Sequence, residues 1–250
     1  MVLRAENISK SFDGRKVLDN IDIRLDEGEL VSILGVSGVG KSTLFNILAG
    51  LLLPDEGRVF IEDRDVTGQT GNVSYMLQKD LLLEHKSVID NVALPLILSG
   101  VKKREARERA LEHFDQFGLM GTQDMYPAQL SGGMRQRAAL LRTYMCGDKV
   151  ALLDEPFSAL DTFTRTSMQE WYLDMMERLK LSTLFITHDI DEAILLSDRI
   201  YIMSGSPAHI STEIKIEAAK PRKADFLVSS EFIEYKKMCH VWLRSDESKK

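Results

Sequence analysis

Cysteine is scarce: Cys146 and Cys239 are the only two in 250 residues. Two are too few for a disulfide scaffold and their spacing is not that of a metal site, so both read as reduced intracellular thiols. Long hydrophobic runs are missing as well. The longest, such as Leu44 to Leu53, are interrupted and fall well short of the about 18 residues that a membrane-spanning helix needs. The N-terminus, Met1-Val2-Leu3-Arg4-Ala5-Glu6, lacks the charged-then-apolar pattern of a secretion signal. Basic residues do not dominate: 32 Lys and Arg against 38 Asp and Glu leave a net charge of −6. That balance argues against broad binding to nucleic acid or to an anionic lipid surface. There is no internal repeat and no low-complexity segment. Together these absences point to a cytoplasmic protein whose membrane work, if it has any, is done through another subunit.

The chain is otherwise ordinary for a globular protein, with 44% hydrophobic and 28% charged residues, and is long enough to bury a substantial core. Residues 2 to 8 and 17 to 25 read as strands around an Asp13-Gly14 turn. Leu30 to Leu34 is a short apolar run of the kind found in a buried strand. Lys41 to Ala49 reads as a helix with Leu44, Ile47, Leu48 and Leu51 on one face, and Val59 to Ile61 as another strand. From about Val88 to Gln129 the pattern is helical. The charged stretch Lys102 to Phe117 has Ala106, Ala110, Leu111 and Phe114 as its apolar side and a solvated opposite face. Strand and helix then alternate: Val150 to Leu153, Phe163 to Leu179, Ser182 to Thr187, Ile190 to Leu196 and Arg199 to Met203. Such alternation predicts a mostly parallel sheet covered on both faces. Beyond Ser204, Ile210, Ile214 and Ile216 allow an edge strand. Phe232, Tyr235, Cys239 and Trp242 stripe a final helix, and Ser245 to Lys250 reads as a frayed tail.

Five short segments carry chemistry. The first, Gly35-Val36-Ser37-Gly38-Val39-Gly40-Lys41-Ser42, matches G-x-x-x-x-G-K-[ST] and lies between an apolar strand and a helix. Gly35, Gly38 and Gly40 let backbone N–H groups, with Ser37 among them, curl around phosphate oxygens. The helix beginning at Lys41-Ser42-Thr43 adds its positive end. Lys41 reaches the outer phosphates of a nucleoside triphosphate such as ATP, and the Ser42 hydroxyl suits Mg2+. Asp154 ends an apolar strand, where a carboxylate can hold that metal. Strand alternation turns the next residue, Glu155, the other way, toward a water beyond the terminal phosphate. Ser131-Gly132-Gly133 stands before a long helical run, where it could make a second anion site; taken by itself it reads first as an N-cap with a flexible turn. Gln78 and His188, taken alone, read as a surface glutamine and a structural histidine.

The run Leu130-Ser131-Gly132-Gly133-Met134-Arg135-Gln136-Arg137 resembles the signature motif of ABC-type ATPases. The other segments stand in that family's order, over roughly residues 2 to 205. The resemblance implies a P-loop NTPase fold in the α/β class: a mostly parallel central sheet, an N-terminal antiparallel β subdomain and an inserted α-helical subdomain. It divides the chain into an ATPase domain at 1–204, its helical insertion at about 86–130, and a C-terminal extension at 205–250 of open role. It further implies a homodimer that sandwiches two ATP molecules, each between one copy's phosphate loop and the other's signature. Glu155 then matches the catalytic base, His188 the switch histidine, and Gln78 a glutamine loop that touches magnesium. Ser158-Ala159-Leu160-Asp161 matches the loop that crosses the dimer interface, and Phe12 the aromatic ring under adenine. Met134 stands where many members carry Gln. Leu141-Arg142-Thr143-Tyr144 departs from the usual Ala-Arg-Ala run, leaving the phosphate ligands untouched.

Within the family the sequence is most similar to the nitrate, sulfonate and taurine importer group, on Gln78 to Leu83, Asn91 to Leu96 and Leu130 to Arg137. That similarity implies integral membrane permease subunits, a separate solute-binding protein, a location on the inner face of the cell membrane and no nucleic-acid partner. Leu81, Leu82 and Leu83 fit either the wall of a permease-docking groove or the core of the helical subdomain. Related importers take thiamine precursors and other small solutes. A different class, the nucleotide-driven clamp, usually carries paired cassettes or a long coiled coil, which this chain lacks. A scaffold without turnover is disfavoured by intact Glu155 and His188.

Overall fold

A computed structural model describes residues 1–220, 222 and 224–245. Ten strands form one sheet in the order β5-β4-β1-β2-β10-β9-β3-β8-β7-β6. At one end β1 (Leu3–Phe12), β2 (Arg15–Leu25), β4 (Glu56–Ile61) and β5 (Arg64–Asp65) pair antiparallel. At the other end β3 (Leu30–Leu34), β6 (Ser74–Met76), β7 (Val150–Asp154), β8 (Ser182–Thr187) and β9 (Arg199–Gly205) pair in parallel. The parallel strands are buried on both faces, and alternate side chains go to different cores. Val150 and Leu152 join one cluster with Leu44 and Phe45, while Ala151 and Leu153 join another with Phe157 and Tyr172. This is why these strands read as continuous apolar runs rather than as alternating ones.

The expected edge strand at Ile210 to Ile216 is instead interior. β10 (Ala208–Lys215) lies between β9, which it pairs antiparallel, and β2, which it meets at Ala208 and Leu18. It thereby joins the antiparallel and parallel halves. Two further expectations are corrected. Leu51 is 61% exposed and Leu111 43%. α1 (Lys41–Leu48) and α4 (Lys103–Leu111) end before or at those residues, so the helical period no longer carries them inward. Leu44, Phe45, Ile47 and Leu48 are buried, each worth about 1.5–3 kcal/mol on leaving water.

α2 (Val88–Val92), α3 (Leu94–Leu98) and α4 pack with α5 (Gly132–Tyr144) around Ala106, Ala110, Phe114 and Ala138. The charges of α4 face water and pair locally, with Arg104 Nε 2.9 Å from Glu108 Oε1. α6 (Thr162–Leu179) packs with α5 on the face of Ala151 and Leu153, opposite α1, and α7 (Ile190–Leu196) and α8 (Ser230–Ser245) continue that layer over Ile200 and Ile202. α8 buries Phe232 and Cys239, whereas Trp242 is 39% exposed and leaves the stripe incomplete. Beyond Ser245 the expected frayed tail, residues 246–250, lies outside the described residues. Among the described residues no helix is long and apolar enough to cross a membrane.

Candidate functional site

The register of the parallel strands sets the site. Leu34 pairs with Thr187, and Asp154 with Ile186, so β3, β7 and β8 end along one edge of the sheet. The segments that follow them begin with Gly35, Glu155 and His188 and emerge side by side. That is the carboxyl edge at which open α/β sheets bind ligands.

The phosphate loop fits tightly under β9. A Cβ on Gly35 would lie 2.5 Å from the carbonyl oxygen of Met203, and Gly40 at the start of α1 has φ 118°. Neither position tolerates a side chain. Lys41 is buried, and its Nζ donates to the carbonyls of Gly35 at 2.7 Å and Val36 at 3.0 Å. Burial lowers its pKa, opposed by Glu155 and Asp154. The Ser42 hydroxyl donates to Asp154 Oδ2 at 3.0 Å. Burial raises the pKa of Asp154, the Ser42 hydrogen bond opposes that, Glu155 adds to it and Lys41 offsets it. Ser37 and Gly38 are exposed on the loop, and Thr43 is half-buried in the first turn of α1.

Glu155 points into the site for a reason other than strand alternation. β7 ends at Asp154, and Glu155 has φ 46° while its N–H donates to Ile186 O at 3.0 Å. The left-handed residue redirects the chain and aims the carboxylate. Gln78 Nε2 donates to Glu155 Oε2 at 3.0 Å, and His188 Nδ1 lies 3.1 Å from Oε1. Gln78, Glu155 and His188 share with Ser37 and Gly132 an open cleft of about 780 Å³.

Of the remaining expected residues, Ser131 and Asp161 lie beside this cluster: Gly132, next to Ser131, and Leu160, next to Asp161, line the same cleft. Ser131 caps α5 by accepting from the Met134 N–H at 3.3 Å, and Asp161 caps α6 by accepting from Thr164 at 3.1 Å. Phe12 ends β1, 44% exposed, with Lys10 Nζ 5.6 Å from its ring centre. Among the described residues no hydrogen bond joins Ser131, Asp161 or Phe12 to Lys41, Ser42 or Asp154. Leu81 is exposed while Leu82 is buried, so the two face opposite ways. Sequence reasoning missed Arg142, which binds the loop after Gln78, and the buried pair Gln169–Glu192 that joins α6 to α7. Nothing in the local pattern around Arg142 announces its partners, which lie about 60 residues away. Glu192 had only a weak signal, being one of two adjacent carboxylates, with Asp191, on a helix otherwise carrying Ile190, Ala193, Ile194, Leu195 and Leu196.

A glycine-lined loop between β3 and α1, with its lysine and with a carboxylate at the end of β7, defines a P-loop NTPase. The comparisons with known proteins narrow that class. Residues 18–158 match the family model described as ABC transporter. The formylaminopyrimidine import ATP-binding protein ThiZ of Halalkalibacterium halodurans is 42% identical over 90% of this chain and 88% of its own. The nitrate import ATP-binding protein NrtD of Synechocystis sp. is 36% identical over 99% of this chain and 97% of its own. The solved dimeric ATP-binding cassette MJ0796, in a post-hydrolysis state bound to ADP and Pi, shares the fold with a TM-score of 0.74 and 29% identity, over 87% of this chain and 100% of that one. The chain belongs to the ABC transporter family and is an ATP-hydrolysing member of it.

Proposed function

We propose that this chain is the ATP-binding subunit of an importer for a small solute, working as a homodimer beneath separate membrane permease subunits. The observation that carries the reading is the Glu155 carboxylate held between Gln78 and His188, beside the Ser42–Asp154 pair. In this reading the backbone from Gly35 to Gly40, with Ser37 and Gly38, and the side chains of Lys41, Ser42 and Thr43 bind the triphosphate. Phe12 stacks on the adenine. Glu155 takes the proton of the attacking water, and His188 orients it and contacts the terminal phosphate. Ser131, Gly132, Gly133 and Asp161 of the second copy close the pocket. ATP binding favours the closed dimer because only there do both halves touch it, and hydrolysis reopens it.

Magnesium fits the residues present. A hydroxyl and a carboxylate converge at Ser42 and Asp154. The hard ion is normally held by one or two carboxylates plus substrate phosphates, not by an all-protein cage. Among the described residues there is no cluster of three His, Cys, Asp or Glu able to hold a metal, in keeping with that mode. Ser42 and Asp154, with Gln78 as the third proposed ligand, would hold it, and it would neutralise phosphate charge.

We take residues 1–204 as the ATPase domain with a helical insertion at about 86–130, and 205–250 as an extension whose described residues supply the interior strand β10 and pack α8 on α7. A place on the inner face of the cell membrane and a separate solute-binding protein complete the assembly. The likeness to NrtD supports nitrate, within the nitrate, sulfonate and taurine importer group that the sequence resembles. The likeness to ThiZ supports a thiamine precursor as the second reading. Two measurements test the proposal: phosphate release against protein concentration, and recovery of an integral membrane protein with the tagged chain. Turnover should rise faster than linearly with concentration; strictly linear turnover with no membrane partner would sink it.

A further inference from the structure

Arg142 sits in the last turn of α5, and its guanidinium lies against a loop far away in sequence. Nη1 donates to the Leu81 carbonyl at 2.7 Å and Nη2 to the Asp80 carbonyl at 2.5 Å. A second arginine of the same helix, Arg135, places Nε 3.4 Å from Asp80 Oδ2 while its Nη1 donates to the Leu130 carbonyl at 2.8 Å. The gripped loop is bent: Leu81 has φ 45°, a conformation that a leucine keeps only when its surroundings hold it. Its far side is fastened to α2, where buried Asn91 donates to the carbonyls of Leu83, Lys86 and Ser87. Gln78, at the near end of the loop, reaches Glu155.

We propose that Arg142 is a positioning residue that fastens the loop after Gln78 to α5, so that Gln78 and the helix end at Ser131 move as one body. The physical reason is the fork. A guanidinium bridges two successive carbonyls with fixed geometry, which a lysine ammonium cannot do. Eleven residues of helix, at 1.5 Å each, make a rigid lever of about 16 Å between Arg142 and Ser131. A push on the exposed Leu81 therefore tilts α5 instead of only deforming the loop. Two segments that contact nucleotide from different parts of the chain then answer to one displacement. The functional half of this inference rests on the roles proposed above for Gln78 and Ser131; the mechanical half does not.

The test uses the full chain with Arg142→Ala, Arg142→Lys and, as a reference, Gln78→Ala. Hydrogen exchange is followed at the amides of residues 79–83, with ATP affinity and the kcat and KM of ATP turnover measured in parallel. Losing two charge-assisted hydrogen bonds should speed exchange in Arg142→Ala about tenfold or more. ATP affinity should stay within about twofold, since Lys41 is untouched, and kcat should fall about tenfold. Arg142→Lys should lie between, reaching one carbonyl but not both. Native exchange at 79–83 in a folded Arg142→Ala overturns the fastening, and accelerated exchange with native kcat overturns its use in turnover. Should Arg142→Ala fail to fold, Arg142→Lys decides, and native exchange and kcat in that variant overturn the proposal. Gln78→Ala with native kcat shows instead that the glutamine role was misassigned, and exchange in the Arg142 variants still reads the fastening.

Discussion

Glu155 and His188, 33 residues apart in the chain, meet at 3.1 Å between Oε1 and Nδ1. The other oxygen of Glu155 accepts from Gln78 at 3.0 Å. One carboxylate thus ties together the turns after β7 and β8 and the loop after β6. A group held from two sides loses little freedom when it acts, which is what positioning a water demands.

Replacing that carboxylate by its amide keeps the shape and removes the base. Glu155→Gln should bind ATP as before and slow phosphate release by about 100-fold or more. Single-turnover phosphate release checks this; turnover at the native rate would show that the base lies elsewhere.

Lys41 is buried with its ammonium on the loop's own carbonyls, so it is poised inside the phosphate cradle. Lys41→Ala should weaken ATP binding by about 10- to 100-fold, the worth of charge-assisted hydrogen bonds. Fluorescent-nucleotide titration measures it, and unchanged affinity would contradict the cradle role.

Ser131 stands at the start of α5, and among the described residues no hydrogen bond joins it to the phosphate loop of its own chain. Ser131→Arg in the Glu155→Gln background should leave a folded monomer, at a cost of about 1 kcal/mol for the lost cap. It should also abolish the ATP-dependent dimer seen by size-exclusion chromatography. A dimer that still forms with ATP would place the second anion site elsewhere.

Glu192 makes a pH prediction. It is 6% exposed and accepts from Gln169 Nε2 at 3.2 Å. Burial pushes its carboxyl from 4.5 up to about 7, against hydrogen bonds from Thr187 and Gln169; Asp189 adds to the rise and Arg165 opposes it. The folded state therefore holds this proton more tightly than the unfolded one. Its contribution is fully present below pH 4.5 and is lost as pH rises through about 7. Glu192→Gln should raise stability at pH 8 by up to about 3 kcal/mol and leave it little changed at pH 4. Urea unfolding at both pH values measures this, and an equal change at both would refute it.

Much of the architecture was legible because its signals are local. The mostly apolar run Leu30–Leu34 and the segment Ser182–Thr187, rich in Thr, Leu, Phe and Ile, marked strands to the residue, since strands buried on both faces favour β-branched and apolar side chains. The glycine spacing around Lys41 marked the phosphate loop, since only that spacing lets the backbone curl. The same locality explains the errors at Leu51 and Leu111. A helical period can be extended on paper past the point where the helix stops.

The residue types of the reaction centre, and the order in which the chain presents them, follow from amino-acid pattern alone. Their meeting does not. β10 lies inside the sheet because β9 and β2 both accept it, a pairing between distant segments that no local pattern encodes. Glu155 faces Gln78 and His188 because a left-handed turn follows β7 and because parallel register sets Asp154 beside Ile186. Arg142 found its carbonyls, and Glu192 its buried place, only once α5 and α7 had packed. Hydrogen bonding and burial act on distance in space, and folding alone sets that distance.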